Sequence, residues 1–386
     1  MSDTDPVGAL RAVAFFLERA RAETYRVKAY RTAADVLAAL GPDEVARRAE
    51  RGTLRELKGV GDKTAAVATE AARGAEPAYL AELRGDVAPV AGGATLRAAL
   101  RGDCHSHSDW SDGGSGIREM ARTARDLGHE WLVLTDHSQN LTVANGLSPE
   151  GRRRQFDVIA EVNAELAPFR LLRGIEVDIL EDGEIDAPDD LLAELDLVVA
   201  SVHSKLRAPS AEMTARMVLG VSNPYVDVLG HCTGRLVTGR RDTQRSGAGP
   251  RRDDTQRGGA GPRRDDTQRS GAGPRRDGTP RGGAGPRRDG TRPPSTFDAE
   301  AVFDACVENG VAVEINSRPE RLDPPRALLL QALAAGCDIA VDTDAHAPGQ
   351  LDWQPYGCER AEECEVPVDR VVNTRGVDEL MAWRTR

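Results

Sequence analysis

The chain has 386 residues, 40% of them apolar and 29% charged, enough to bury a substantial core and too apolar for a fibrous or wholly disordered protein. Its formal charge of −11 excludes a protein built as a whole to coat nucleic acid. The charge is uneven: residues 1–84 hold 14 Lys+Arg against 13 Asp+Glu and residues 240–292 hold 15 against 7, which leaves about −20 elsewhere, a charge that repels anions or holds cations that reverse the local field.

Residues 5–84 read as helices. VGALRAVAFFLERARAE and AYRTAADVLAAL carry apolar residues at helical spacing, and Gly41-Pro42-Asp43 supplies a stop and a new N-cap. In LRELKGVGDKTAAVATEAARG, Leu54 and Leu57 are expected to end one helix and Ala65 to restart another. Between them Gly59-Val60-Gly61 makes a turn too tight for side chains, with positive φ expected at Gly61. This is the pattern of a helix-hairpin-helix, in which backbone N–H groups and a helix N-terminus meet a phosphate without reading a base. An ordinary helical hairpin would show the same glycines. Lys58 and Lys63 beside the turn favour DNA-backbone binding, by Lys58, Gly59, Gly61 and Lys63, since the chain has only four lysines. Residues 85–99 read as a linker.

From 100 to 386 the pattern becomes α/β: short apolar runs alternate with helical stretches, near LRGDCHSH, WLVLTDH, FRLLRGIEVDIL, LDLVVASVH, VDVLGH, VAVEIN and DIAVDTDAH. Seven such units imply a parallel sheet covered by helices, closed as a TIM-like barrel or left open and doubly wound. Residues 240–295 interrupt this region with a unit of the form RRDDTQRGGAGP repeating about every 12 residues and no Val, Ile, Leu, Met, Phe, Tyr or Trp. It cannot build a core, so a disordered loop insertion is expected; its aspartates cancel half the charge that an Arg-rich nucleic-acid arm would need.

No apolar run reaches the roughly 18 residues of a membrane span, and no basic-then-apolar leader opens the chain, so a cytoplasmic protein is expected. The six cysteines form no CxxC pair, which disfavours a disulfide framework or zinc ribbon and leaves reduced thiols as the expectation.

Six of the seven histidines, His105, His107, His137, His203, His231 and His346, stand at or just past the C-terminal end of an apolar run, with Asp112, Glu176 and Asp344 near them. Parallel barrels gather their strand C-termini on one face, where such groups meet. So many imidazoles and carboxylates in one bowl require bridging cations, and mixed N/O donors suit zinc, manganese or iron. One histidine alone would be read as a core or surface residue; the joint placement defeats that reading. His129, in a helix-to-strand loop, is expected to be structural, and Cys104 and Cys232, beside proposed ligands but on the opposite face of their strands, to be packing.

The motifs DCHSHSDWSDG, TDHS, GIEVDIL, SVHS, GHCTGRL, INSRPERLD and DTDAH resemble those of the polymerase and histidinol phosphatase (PHP) family, closest to the PHP domain at the C-terminus of bacterial family X DNA polymerases. The N-terminal helices resemble the DNA-binding helices of the same polymerases. Such polymerases carry a nucleotidyl-transferase palm between the two; here only residues 85–99 intervene, so no polymerase activity is expected. The resemblance implies a distorted seven-stranded (β/α) barrel holding three divalent metal ions. One would take His105, His107, Glu176 and Asp344, a second would share Glu176 with His203 and His231, and a third would take Asp112, His137 and His346. Asp112 replaces a histidine of some relatives, which implies a harder site tolerant of manganese. Animal relatives place a Schiff-base lysine where Val67 stands, so DNA binding without lyase chemistry is implied. Arg235 and Arg318, in loops after strands, are candidate clamps for substrate phosphate because guanidinium forks fit its oxygens; surface ion pairs are the alternative.

The function implied is phosphoester hydrolysis, as a DNA 3′-5′ exonuclease or 3′-end-processing nuclease of DNA repair. A small-molecule phosphatase of the histidinol-phosphatase type is the alternative, and a non-catalytic DNA-binding accessory protein a third. The full ligand set disfavours the third, and the helical domain favours DNA over a small monoester.

Overall fold

A computed structural model describes residues 5–87, 90, 92–237 and 291–384. The helical part comprises α1 (Pro6–Arg19), α2 (Thr24–Leu40), α3 (Pro42–Arg51), α4 (Asp62–Ala72) and α5 (Ala78–Gly85). Helix α1 starts where Pro6 can occupy the first turn without wasting an N–H and where the Asp5 carboxylate accepts from Gly8 N at 2.7 Å. Leu10, Val13, Leu17, Leu37, Leu54 and Leu80 bury its core, at about 1.5–3 kcal/mol of transfer free energy for each large side chain.

The hairpin differs from expectation at its edges. Helix α3 stops at Arg51, Leu54–Glu56 forms a 3-10 turn, and α4 restarts at Asp62 rather than Ala65. The glycine with positive φ is Gly59, at +96°, whereas Gly61 is extended at φ −97°.

Within the stretch read as a linker, residues 94–99 form α6 (Ala94–Ala99), whose Leu96 packs with Leu100 into the barrel core. The barrel strands are β1 (Gly102–Asp103), β2 (Trp131–Leu134), β3 (Arg170–Asp178), β4 (Leu197–Ser201), β5 (Val228–Leu229), β6 (Ala312–Asn316) and β7 (Ile339–Asp342). All neighbours pair in parallel and in sequence order. A doubly wound sheet would reverse strand order at a switch point; this one does not. The edges β1 and β7 meet through a Ser106–Ala345 bridge, with His107 N donating to Ala345 O at 2.8 Å, and Cys104 N donating to the Asp342 carboxylate at 2.8 Å. The barrel is therefore nearly closed, and most tightly tied just where its histidines stand.

Helices α7 (Ile117–Asp126), α8 (Pro149–Leu166), α9 (Asp189–Leu192), α10 (Ser210–Val221), α11 (Ala299–Glu308), α12 (Arg326–Ala335), α13 (Gln354–Glu363) and α14 (Val377–Arg384) surround it. Strands covered on both faces are apolar without alternation, as in WLVL and LVVAS. The repeat insertion lies outside the described residues up to 290. Its expected end at 295 is too late: Leu236 and Arg292 exchange backbone hydrogen bonds at 2.8 and 2.9 Å, and the buried Ser295 donates its N–H to Thr233 O at 2.9 Å.

The two parts are packed against each other. Helix α1 lies on the turn Pro348–Trp353, immediately after His346. Gly349 N donates to the Glu18 carboxylate at 2.9 Å, Arg19 pairs with Asp352 at 2.5 Å, and a Cβ at Gly349 would run into the Phe15 carbonyl. No helix of the described residues is long and apolar enough to cross a membrane.

Candidate metal centre

Six of the seven strands deliver a donor at or just past the C-terminal end, Asp112 comes from the loop after β1, and the barrel brings all nine expected ligands to one mouth. Glu176, on β3, is the hub. One of its oxygens lies 2.9 Å from His231 Nε2 and 3.2 Å from His203 Nε2; the other lies 3.0 Å from His137 Nδ1, 3.2 Å from His105 Nε2 and 3.4 Å from His107 Nε2. The Asp344 carboxylate is 3.4 Å from His107 Nε2 and 3.9 Å from His105 Nε2, on a backbone held at φ +51°, a costly conformation for a residue with a Cβ. Asp112 faces His346 Nε2 at 3.3 Å and His137 Nε2 at 3.5 Å. Three groups have donor atoms close enough to share an ion: His107 with Asp112, His137 and His346; His105 with His107 and Asp344; and His137 with Glu176 and His203. These groups differ from the expected ones: His107 joins the group around Asp112, His137 joins Glu176 and His203, Glu176 is missing from the group of His105, His107 and Asp344, and His231 belongs to none of them.

The centre is graded in depth. His105, His107, Glu176 and Asp344 are buried, whereas the side chains of Asp112, His203 and His346 keep 31%, 15% and 21% exposure, so anything entering meets those three first.

The donors fit cations better than they fit one another. His105 Nε2, both ring nitrogens of His107 and Oε1 of Glu176 are buried without a hydrogen-bond partner. Burial of unpaired polar atoms costs several kcal/mol, so the donor set suits cations that would satisfy it. Against the protein's own charges alone, burial opposes ionisation of Glu176, yet His105, His137 and His203 outweigh it and hold the carboxyl well below the usual range. Burial lowers the His137 pKa to about 4; for His203 burial is overcome by Glu176 and Asp178, which raise it to about 9. Ligation needs neutral imidazoles beside ionised carboxylates, a state that His137 holds near neutral pH and that His203 reaches only by giving up a proton.

Several buried partners were not anticipated. Glu314, on β6, accepts from His105 Nδ1 at 2.6 Å and so turns Nε2 toward Glu176. It also takes the His231 N–H at 2.5 Å. A lone acid in the apolar run VAVEIN was the available signal. Asp178, two residues after Glu176 on the same strand face, stands 3.4 Å from His203 Nδ1. Asp136 takes Ser108 N at 2.7 Å and Ser111 Oγ at 2.6 Å, fixing the loop that carries Asp112. The fully buried Arg152 of α8 binds the carbonyls of Asp136 and His137; among the arginines of that helix nothing in the sequence marks it.

The two candidate phosphate arginines part company. Arg318 reaches the centre, donating to Asp344 O at 2.8 Å and lying 3.5 Å from the Asp344 carboxylate. Arg235 does not: its guanidinium donates to the carbonyls of Arg321 and Leu322. Arg321, from the same INSRPERLD motif as Arg318, stands 3.4 Å from Asp344 instead. Cys104 and Cys232 are buried in packing clusters, as are all six free thiols. His129 is buried away from the centre, and burial lowers its pKa to about 3.

At the hairpin, Lys58, Gly59, Gly61 and Lys63 are all exposed. Gly61 N is occupied, donating to Thr64 Oγ1 at 2.9 Å, and so is Val60 N, donating to Leu57 O at 3.0 Å. Val67 is buried in the helical core.

A parallel barrel with a mouth of imidazole and carboxylate donors, preceded by a helical hairpin, defines the class of chain. Residues 1–75 match the helix-hairpin-helix domain model and residues 103–240 match the PHP domain model. The chain therefore carries a helix-hairpin-helix domain followed by a PHP domain. It is 32% identical over 287 residues to the DNA polymerase/3′-5′ exonuclease PolX of Bacillus subtilis, a match covering 74% of this chain and 41% of that protein. It is 34% identical over 134 residues to a probable phosphatase of Thermoanaerobacter sp., covering 33% of this chain and 52% of the relative. The chain thus spans about half or less of the curated relatives it matches. A histidinol phosphate phosphatase of Lactococcus lactis, solved with zinc, L-histidinol and phosphate, overlays at a TM-score of 0.41 and 17% identity, over 69% of this chain and 92% of that one.

Proposed function

We propose that the protein is a metal-dependent phosphoesterase that trims DNA from the 3′ end, as an exonuclease or 3′-end-processing nuclease in repair. Residues 1–84 would bind DNA, and the barrel of residues 100–386 would carry out hydrolysis. The observation that carries this reading is the cluster of buried ring nitrogens and carboxylate oxygens that lack hydrogen-bond partners among the described residues, in a barrel whose Pro348–Trp353 turn is packed against α1 of a helix-hairpin-helix domain. Three divalent cations, zinc, manganese or iron, are proposed on the ligand groups set out above; when bound they would neutralise a phosphoryl group and activate water.

The chain's own residues divide the remaining work. Glu176 holds the imidazoles of His105, His107, His137, His203 and His231 around one point. Glu314 keeps a proton on His105 Nδ1, so that its Nε2 lone pair faces inward. Asp112 and His346, the more exposed donors, sit where a phosphate enters. Arg318 and Arg321 offset its charge beside Asp344. Exposed Lys58 and Lys63, with the amides of the turn and of the α4 N-terminus, would hold the DNA backbone. No amine stands at Val67, so lyase chemistry is not proposed.

Release from 3′-labelled single-stranded DNA and from histidinol phosphate, each with Mn²⁺ and Zn²⁺, tests the proposal. Faster turnover of DNA is expected. Hydrolysis of histidinol phosphate alone would replace the nuclease with a small-molecule phosphatase.

A further inference from the structure

The rim of the metal centre is built partly by the helical domain. Arg318 donates from Nη1 to Asp344 O at 2.8 Å, 3.0 Å from His346 Nδ1, and the rest of its guanidinium is held from two sides. On one side Glu320 Oε1 lies 3.2 Å from both its Nε and its Nη2. On the other the guanidinium carbon lies 5.4 Å from the centre of the Trp353 ring, a cation–π distance. Each of these partners is tied to the end of α1. The second oxygen of the buried Glu320 is 3.4 Å from Arg21 Nε, and Trp353 Nε1 donates to Arg19 O at 2.9 Å. Arg21 sits at φ +54° with its N–H on Glu18 O at 2.9 Å, in the turn between α1 and α2.

We propose that Arg21 and Glu320 are positioning residues that keep Arg318 available to a substrate phosphate, so that the helical domain completes the barrel's phosphate subsite as well as gripping DNA. The inference rests on the phosphoester reading of the centre. Its physical basis is charge sharing. Glu320 divides its charge between two arginines, Oε1 with Arg318 and Oε2 at ion-pair distance from Arg21, so less of it is spent on Arg318, which the Asp344 carboxylate also faces. Without Arg21, Glu320 pairs with Arg318 alone and competes with an incoming phosphate. The effect must then extend to phosphates too small to reach the hairpin.

The full chain loaded with Mn²⁺ is titrated with inorganic phosphate by calorimetry, and p-nitrophenyl phosphate turnover is measured alongside. Arg318→Ala and Arg21→Ala are each expected to raise the phosphate Kd and the KM by roughly threefold to tenfold, with kcat within about twofold for Arg21→Ala. Arg21→Lys should recover most of the loss, which general destabilisation of the interface would not allow. Because Arg21 acts through Glu320, adding Arg21→Ala to Glu320→Gln should change nothing further. An unchanged Kd in Arg21→Ala, with a raised Kd in Arg318→Ala, would overturn the relay and leave the phosphoesterase intact. An unchanged Kd in Arg318→Ala, or no phosphate binding by the unaltered protein, would overturn the proposal at its first link. If phosphate binds and responds as expected but no ester is hydrolysed, the functional reading fails while the relay stands.

Discussion

The barrel mouth and the hairpin turn are both expected to meet phosphate, and they are built on opposite principles. The mouth buries its charged groups and leaves ring nitrogens and carboxylate oxygens without partners. The hairpin exposes Lys58 and Lys63 and keeps its apolar residues beneath them. A buried array must be matched by ions of fixed geometry, whereas an exposed one follows a backbone through screened charge. The first arrangement suits bond cleavage and the second suits grip.

The largest effect expected from breaking this contrast is at Glu176. Its oxygens face five imidazoles, so Glu176→Gln should lower hydrolysis by more than about 100-fold and reduce bound metal, read by elemental analysis, while DNA affinity at the hairpin holds. Glu314→Gln tests the layer behind it. Loss of the acceptor at His105 Nδ1 should cost about 10- to 100-fold in metal affinity, by competition with a chelator.

His129 sharpens the comparison as an internal control. It is buried like His105 and His107, and like His107 it lacks partners at both ring nitrogens, but its charged neighbour is Arg97 rather than a carboxylate, and burial followed by Arg97 holds its pKa at about 3. The unfolded chain therefore takes up a proton near pH 6.5 that the folded one refuses. Its contribution is neutral above that pH and grows destabilising as pH falls from 6.5 toward 3, reaching about 2 kcal/mol at pH 5. His129→Leu should match the parent at pH 8 and lose less stability between pH 7 and pH 5, measured by denaturant unfolding.

The smallest effects separate the two glycines of the hairpin. A Cβ on Gly59 would sit 3.0 Å from Thr32 Cγ2 on a backbone at φ +96°, so Gly59→Ala should destabilise the helical domain by about 1 kcal/mol or more. A Cβ on Gly61 meets nothing within 4 Å, and thermal melts should place Gly61→Ala near the parent.

These outcomes follow how much of each region the sequence displays. The seven apolar runs and their terminal histidines are local signals, so the parallel strands and the donors at their ends can be read directly. Closure is not local: it depends on the Ser106–Ala345 bridge between positions more than 200 residues apart. Glu314 and Asp178 are visible only as acids inside apolar strands, and Arg152 has no local mark. Arg235 looks equivalent to Arg318 in sequence, but the packing of the Arg321–Leu322 turn consumes its donors. The hairpin's glycines were legible as a turn, yet which one takes positive φ depends on α2 lying against Gly59. The contact of α1 with the Pro348–Trp353 turn has no signature, because its ion pairs join residues indistinguishable from other surface charges.

The division of labour between mouth and hairpin is tested most directly with Lys58→Ala combined with Lys63→Ala. Rates on 3′-labelled single-stranded DNA and on p-nitrophenyl phosphate are followed across a salt series with Mn²⁺ present. The expected result is a lower kcat/KM on DNA, a slope of log affinity against log salt reduced by roughly two units, and an unchanged rate on the small ester. Unchanged DNA affinity and salt slope, with the small ester still turned over, would contradict it and leave the barrel as a phosphatase that makes no use of the hairpin.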